Sequence, residues 1–500
     1  MRLLATVALA ALASGCASQE QDAAATVATG TADGCAAVDA TAFGATEGSG
    51  KWVAAADDLP AFCEVTATLS PVEGSKIGVV YRLPENWNGK VLGLGGGGWA
   101  GNVTIQAASE GLKKGYATFQ TDGGNAGTDV WNNGWVAENP EAATDFSHRA
   151  IHEMTVAGKT LAASFYGTKH QRAYFQGCST GGRMALMEAQ RYPEDYDGII
   201  AGAPVYTLQT QTSAVLRNMA FAQGGGGLSP DDLKLAQNAA LKACDAADGL
   251  EDGLINDPAQ CTWDPAELQC TGAKDATCLS APQAAALKSV YEGSKTPDGQ
   301  WAMLPMSRGG ETGWSLFVGT DGKGNDPSGG GGLKNLSPLF FGNRTVDFGK
   351  FTMANVQQVR SSAFANMYEA KNPDLSAFFG RGGKLLLWHG ENDPGPSPIA
   401  TTDYAKAVLG SAAGAADSLR YFLAPGVEHC RGGPGADQVE WLDALDGWIS
   451  SGNAPAQLTG TKADGSLTRP HCAWPNVAQY KGSGDANDPA SWQCAARKES

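Results

Sequence analysis

Three stretches far apart in the chain carry side chains whose types and order suit nucleophilic catalysis. The first is Tyr174-Phe175-Gln176-Gly177-Cys178-Ser179-Thr180-Gly181-Gly182-Arg183, where an apolar run ends in glycine, a serine follows, and two glycines open a segment with helical periodicity. A G-x-S-x-G sequence between a strand and a helix sets the serine on a tight, strained turn. The residues two before and two after it must then be nearly free of side chain, and the helix N-terminus beneath it favours developing negative charge. The second stretch is Trp388-His389-Gly390-Glu391-Asn392-Asp393, and the third is Gly426-Val427-Glu428-His429-Cys430. Serine, then an acid after a late strand, then a histidine after the last strand is the order of a nucleophile, an orienting carboxylate and a base. Ser179 would attack a carbonyl carbon. His429 would accept its proton and later deliver it to the leaving group, while the acid holds the imidazole in its productive tautomer. Glu391 and Asp393 are both placed for the acid, since a period-two strand end would point them the same way. Asp393 lies further into the loop, where such an acid must reach, and is preferred. His389, inside the strand end, reads as a structural histidine.

A negative charge that develops on the attacked oxygen needs backbone donors. One is the N–H of Thr180. The other is expected from the run Gly95-Gly96-Gly97-Gly98-Trp99, at Gly97 or its neighbour Gly98, because it follows the apolar segment Val91 to Leu94 directly. The run lacks the Lys-Ser/Thr of a phosphate loop and the full G-x-G-x-x-G unit. Losing one such donor costs on the order of 3 kcal/mol of transition-state stabilisation.

The elements that must position these groups alternate. Strands are expected at Lys76 to Leu83, Val91 to Leu94, Tyr116 to Gln120, the run before Ser179, Gly198 to Ala203, Lys384 to Trp388 and Leu419 to Leu423. Helical spacing covers Asp145 to Tyr166, Thr402 to Leu409 and Asp437 to Ile449. Asp122, in Thr121-Asp122-Gly123-Gly124, reads as a turn residue. His148 and His152 share a helix face, but no glutamate stands beside the first, so a packed or capping pair is favoured over a zinc site. From Tyr206 to about Asn366 the alternation stops, and four cysteines, glycine runs and many aromatics appear. The fold class is therefore α/β, an α/β-hydrolase core (residues 35–205 and 367–500) with a large inserted lid (206–366).

Length and composition agree with that division. Five hundred residues with 42% hydrophobic and 18% charged side chains suit a globular enzyme larger than one small core. A net charge of -16 argues against nucleic acid or anionic membrane as a partner. Residues 1–15 read as an export signal, too short to span a bilayer as an anchor. Small residues before Cys16 are similar to a bacterial lipobox, although alanine stands where leucine is usual, so lipidation and simple cleavage both remain open. Residues 16–34 read as a flexible tether. Setting Cys16 aside, ten of the eleven cysteines form an even set in an exported chain, which implies disulfides. Ten cysteines allow on the order of nine hundred pairings, so their connectivity stays open.

Cys244-Asp245-Ala246-Ala247-Asp248-Gly249-Leu250-Glu251-Asp252-Gly253-Leu254 concentrates hard oxygen ligands suited to Ca²⁺. It is not an EF-hand, because the aspartate spacing differs and the closing glutamate is absent. Taken alone, the stretch fits a solvated acidic turn at least as well.

Together the Gly177 to Gly182 elbow, the His-Gly-x-x-Asp-Pro-Gly of His389 to Gly395 and Gly426 to Cys430 resemble the tannase/feruloyl esterase family. Its signature places cysteines directly before the serine and directly after the histidine. The resemblance runs from about Cys35 to Cys494 and includes Arg149-Ala150-Ile151-His152 and Tyr480-Lys481-Gly482-Ser483-Gly484. It implies an α/β-hydrolase core, a lid between serine and acid, and a structural calcium ion in that lid. The ion would be held by the side chains of Asp245, Asp248 and Asp252 and the carbonyls of Leu250 and Leu254. It also implies the bridges Cys178–Cys430, Cys35–Cys63, Cys244–Cys261, Cys270–Cys278 and Cys472–Cys494. Glu391 departs from the pattern, which has a bulky residue there. Trp314, Phe317, Phe340 and Phe341 could line an aromatic substrate wall, and core packing explains them equally well. The expected activity is hydrolysis of small-molecule esters of aromatic acids, feruloyl or galloyl among them. Terephthalate-type monoesters, a serine peptidase and a non-catalytic envelope binding lipoprotein are the competing readings.

Overall fold

A computed structural model describes residues 28–316 and 332–497. Residues 1–27, with the export signal and Cys16, and Phe317 lie outside the described residues. Nine strands form one sheet. From one edge they run Leu419–Ala424, Lys384–Gly390, Gly198–Gly202, Arg172–Cys178, Lys90–Leu94, Ala117–Thr121, Ile77–Pro84, Phe62–Leu69 and Ala45–Val53. The first six pair in parallel and the last three antiparallel. Gly198–Gly202 and Ala117–Thr121 are buried at every position, as parallel strands covered on both faces must be. Ala45–Val53, polar along most of its length, is the exposed edge.

The expected strands lie within a residue or two of these. The strand at Lys384 extends to Gly390, so His389 is a strand residue buried completely. The expected helix at Asp145 opens with a π-type turn over Asp145–Arg149 before Ala150–Tyr166. The last helix begins at Trp441 rather than Asp437, because Gln438 pairs with Thr461 in an isolated bridge instead.

Between residues 206 and 366 the described chain adds no strand to the large sheet. Its longer helices, Gln209–Ala222, Pro230–Cys244 and Ala281–Glu292, close over a second hydrophobic cluster containing Phe221, Leu233, Leu287 and Trp314. Ser229 and Ser280 start two of them with capping boxes, each satisfying otherwise orphaned N–H groups. Near the C-terminus, Arg497 bonds Asp257 of this region at 2.7 Å and also Glu391 of the sheet-borne loop, joining the two parts. Among the described residues there are five disulfides: Cys35–Cys63, Cys178–Cys430, Cys244–Cys261, Cys270–Cys278 and Cys472–Cys494. They are those implied by the family resemblance. Bridges in this number belong to an oxidising, extracytoplasmic compartment. No helix among the described residues is long and apolar enough to cross a membrane.

Candidate active site

The strand Arg172–Cys178 delivers Ser179 directly to the N-terminus of the helix Thr180–Arg191. Ser179 itself adopts φ 63° and ψ -123°, a conformation that L-residues rarely hold. The turn closes this tightly because glycine backbones meet: a Cβ on Gly177 would lie 2.4 Å from the Gly181 carbonyl group, and one on Gly181 would lie 2.9 Å from the Gly96 oxygen. Strand and glycine loop are thereby pressed against the start of the helix.

His429 and Asp393 arrive from the loops after the two neighbouring strands at the far edge. His429 Nε2 lies 2.8 Å from Ser179 Oγ, and its Nδ1 lies 2.6 Å from Asp393 Oδ2. Asp393 is buried, which by itself would raise its pKa. The charge of His429, with hydrogen bonds from His389 and His429, outweighs that and brings it down to about 2. It is thus an anion near neutral pH. Glu391 points elsewhere, to Arg497, and burial pushes its carboxyl up to about 7 against the pull of that arginine. The strand ends at Gly390, so the period-two argument that aligned Glu391 with Asp393 does not extend into the loop.

Cys178 and Cys430, covalent neighbours of Ser179 and His429, are bridged across 252 residues with their Cα atoms 5.9 Å apart. Cys430, like Ser179, has a positive φ, 65°. Nucleophile turn and histidine loop are therefore strained at adjoining points and tied there.

The two glycines expected to supply the second oxyanion donor differ in how their N–H groups are engaged. The Gly97 N–H is already spent on the Ala100 carbonyl, 3.2 Å away, in a tight reciprocal turn. Gly98, at φ 57°, has no acceptor for its N–H among the described residues. Its carbonyl instead accepts the Thr180 hydroxyl at 2.6 Å, which fixes the loop beside the elbow. The Thr180 N–H, at the first residue of its helix, is likewise unengaged.

A cavity of about 630 Å³ opens over Ser179 and His429. Trp99, Val130, Trp131 and Ala214 supply apolar surface, and Asn102 and Gln211 polar groups. Trp314, Phe340 and Phe341 take no part in it; all three are buried in hydrophobic clusters, with Trp314 packed beside Phe221 and Tyr291. Spacing could not separate a pocket aromatic from a core aromatic, because both are apolar in the same pattern.

Two fully buried arginines support the site without any signal in the sequence pointing to the role. Arg183, on the elbow helix, donates to the carbonyls of Phe146 (2.9 Å), Ser147 (2.6 Å) and Tyr368 (3.2 Å). Arg217, on Gln209–Ala222, donates to the carbonyls of Pro394 and Gly395, the two residues after Asp393, at 3.1 and 3.2 Å. Burial pulls its guanidinium down to about 10, against the attraction of Asp393. His148 and His152 lie apart from this cavity: His152 bonds Asp195 at 2.6 Å and stacks on Tyr192, whose hydroxyl bonds His148.

In the acidic loop, Asp245 accepts the N–H groups of Asp252 (3.1 Å) and Gly253 (2.8 Å), and Asp248 that of Leu250 (3.0 Å). Asp252 pairs with Arg469. Among the described residues, no three His, Cys, Asp or Glu side chains stand close enough to hold an ion as they are. The donor types nevertheless suit a hard cation. Burial, together with the charges of Asp252 and Asp245, pushes the Asp248 carboxyl up to about 6, and the carbonyls of Leu250 and Leu254 accept no hydrogen bond among the described residues.

A strained serine at a strand-to-helix turn, a histidine within hydrogen-bond reach of it and a buried aspartate behind the histidine, all on a largely parallel sheet, define a serine hydrolase of the α/β-hydrolase class. The family model for tannase and feruloyl esterase matches residues 63–313 and 329–495, and the chain belongs to that family. It is 33% identical to a mono(2-hydroxyethyl) terephthalate hydrolase of Piscinibacter sakaiensis, over 89% of this chain and 86% of the relative. A probable feruloyl esterase of Arthroderma benhamiae is 32% identical, over 87% and 85%. The crystal structure of feruloyl esterase B from Aspergillus oryzae superposes with a TM-score of 0.83 at 26% identity, covering 93% of this chain and all of that one. The protein is a carboxylic ester hydrolase.

Proposed function

We propose that this enzyme hydrolyses esters of phenolic aromatic acids, such as feruloyl or galloyl esters, through an acyl-enzyme on Ser179. The observation that carries the reading is the continuous hydrogen-bonded line from Ser179 through His429 to Asp393 beneath a cavity with tryptophan on its wall. His429 Nε2 takes the Ser179 proton as Oγ attacks the ester carbonyl. The N–H groups of Thr180 and Gly98 receive the oxyanion, and His429 then gives its proton to the leaving alcohol. Water, activated by the same nitrogen, releases the aromatic acid. Asp393 keeps Nδ1–H pointed inward and stabilises the imidazolium.

Methyl ferulate, methyl gallate, chlorogenate and a terephthalate monoester, each compared by kcat/KM, test the substrate class. We expect the phenolic esters to exceed the terephthalate monoester and the matched amides to be inert. Preference for the terephthalate ester would move the enzyme to that neighbouring activity, and amide cleavage would make it a peptidase.

We further propose that the loop from Asp245 to Leu254 takes a structural calcium ion through Asp245, Asp248, Asp252 and the carbonyls of Leu250 and Leu254. The support is three carboxylates within eight residues whose mutual repulsion a divalent cation would relieve. Bound ion stabilises the folded state by mass action, about 2.7 kcal/mol at a hundredfold excess over Kd. Chelation is therefore expected to lower the melting temperature, and Asp248→Ala to lower it equally without chelator. Identical melting curves with no calcium by elemental analysis would retire the ion. We also propose export through residues 1–15, and the mass of the mature N-terminus distinguishes a lipidated Cys16 from simple cleavage.

A further inference from the structure

The carboxylate of Asp393 is approached by two histidines. Its Oδ1 accepts the Gly395 N–H at 2.8 Å. Its Oδ2 receives His429 Nδ1 at 2.6 Å and, 3.2 Å away, His389 Nε2. His389 is fully buried at the end of its strand. Besides Oδ2, its Nε2 meets among the described residues only the Pro396 carbonyl, at 3.3 Å. Both neighbours are acceptors and nothing more, so Nε2 carries the hydrogen. The other nitrogen lies 2.8 Å from Thr401 Oγ1. Thr401, on the helix Pro398–Ser411, is also fully buried, and its hydroxyl has no other partner among the described residues. The hydroxyl therefore donates to Nδ1 and sets the tautomer.

We infer that His389, with Thr401 behind it, is a positioning residue that holds Asp393 Oδ2 where His429 needs it. This rests on the serine esterase reading above. With the Gly395 N–H on Oδ1 and His429 alone on Oδ2, the carboxylate could pivot about Oδ1 and carry the imidazole away from Ser179. A second N–H, anchored to a strand and a helix, prevents that rotation. Small displacements of a base cost large rate factors. If His389 only filled space, an apolar side chain of similar volume would serve as well.

His389→Leu removes the donor, and His389→Gln returns an N–H near the position of Nε2. Both are compared with wild type by kcat and KM on one aromatic ester, with active sites counted by a fluorophosphonate. We expect His389→Leu to lower kcat about tenfold with KM unchanged, and His389→Gln to recover most of the loss. Full activity in the leucine variant, or equal losses in both, would overturn the inference. Should His389→Leu fail to fold, Thr401→Val decides: a lower kcat at unchanged KM supports the relay, and an unchanged kcat ends it. Ser179→Ala, run in parallel, separates the two levels. Activity surviving there defeats the triad itself, whereas an inactive Ser179→Ala beside a fully active His389→Leu defeats only the role of His389.

Discussion

Ser179→Ala is expected to lower turnover of an aromatic ester by at least about 10⁴-fold, with the melting temperature nearly unchanged. Among the described residues the side chain has a single hydrogen bond, with His429 Nε2, so its removal leaves no buried charge or large void. The positive φ at this position is as accessible to alanine as to serine, and the glycine contacts that shape the turn are untouched. What disappears is the nucleophile hydrogen-bonded to His429. The residual rate should be that of water attacking a substrate held by the cavity and the Thr180 and Gly98 amides. Labelling by a fluorophosphonate should vanish in the same variant. Retention of more than about a hundredth of wild-type turnover would place the nucleophile elsewhere.

Replacing Cys178 and Cys430 together by alanine should lower turnover by about 10²-fold, a larger effect than the accompanying loss of stability would explain. In the chain-entropy model, closing a loop of 252 residues stabilises the fold by up to about 5 kcal/mol, reduced by any native strain. That term acts on the whole molecule and shows as a lower melting temperature. The rate effect is local. Cys430 is held at φ 65° one residue after the base, and once freed of the bridge the backbone there can relax and carry His429 off line. Measured well below the melting transition, kcat should therefore fall while most of the protein remains folded. Wild-type kcat in the double variant, or alkylation of Cys178 in non-reduced protein, would sink this reading.

Much of the site was legible in the order of residues. The elbow needs glycines where only glycine fits, and the acid and base follow late strands, so Ser179, Asp393 and His429 are identifiable from local pattern plus chain order. The parallel strands are legible for a related reason: strands buried on both faces must be apolar nearly throughout, and such runs stand out. The pairing of ten cysteines did not follow from spacing, and needed either the family resemblance or the fold itself. The engagement of the Gly97 N–H by Ala100, Glu391 turning to Arg497, Arg217 clamping the loop after Asp393 and the second histidine on Asp393 were decided only by the tertiary structure. Each of these depends on which way one peptide group or side chain faces after distant segments have packed. In a run of glycines every N–H is equivalent until a turn consumes one of them. A buried arginine or histidine has no periodic signature, because its partners are backbone carbonyls and carboxylates brought from other elements. Local sterics and burial leave marks in a sequence that can be read one segment at a time, whereas hydrogen-bond direction between segments exists only once they have been brought together.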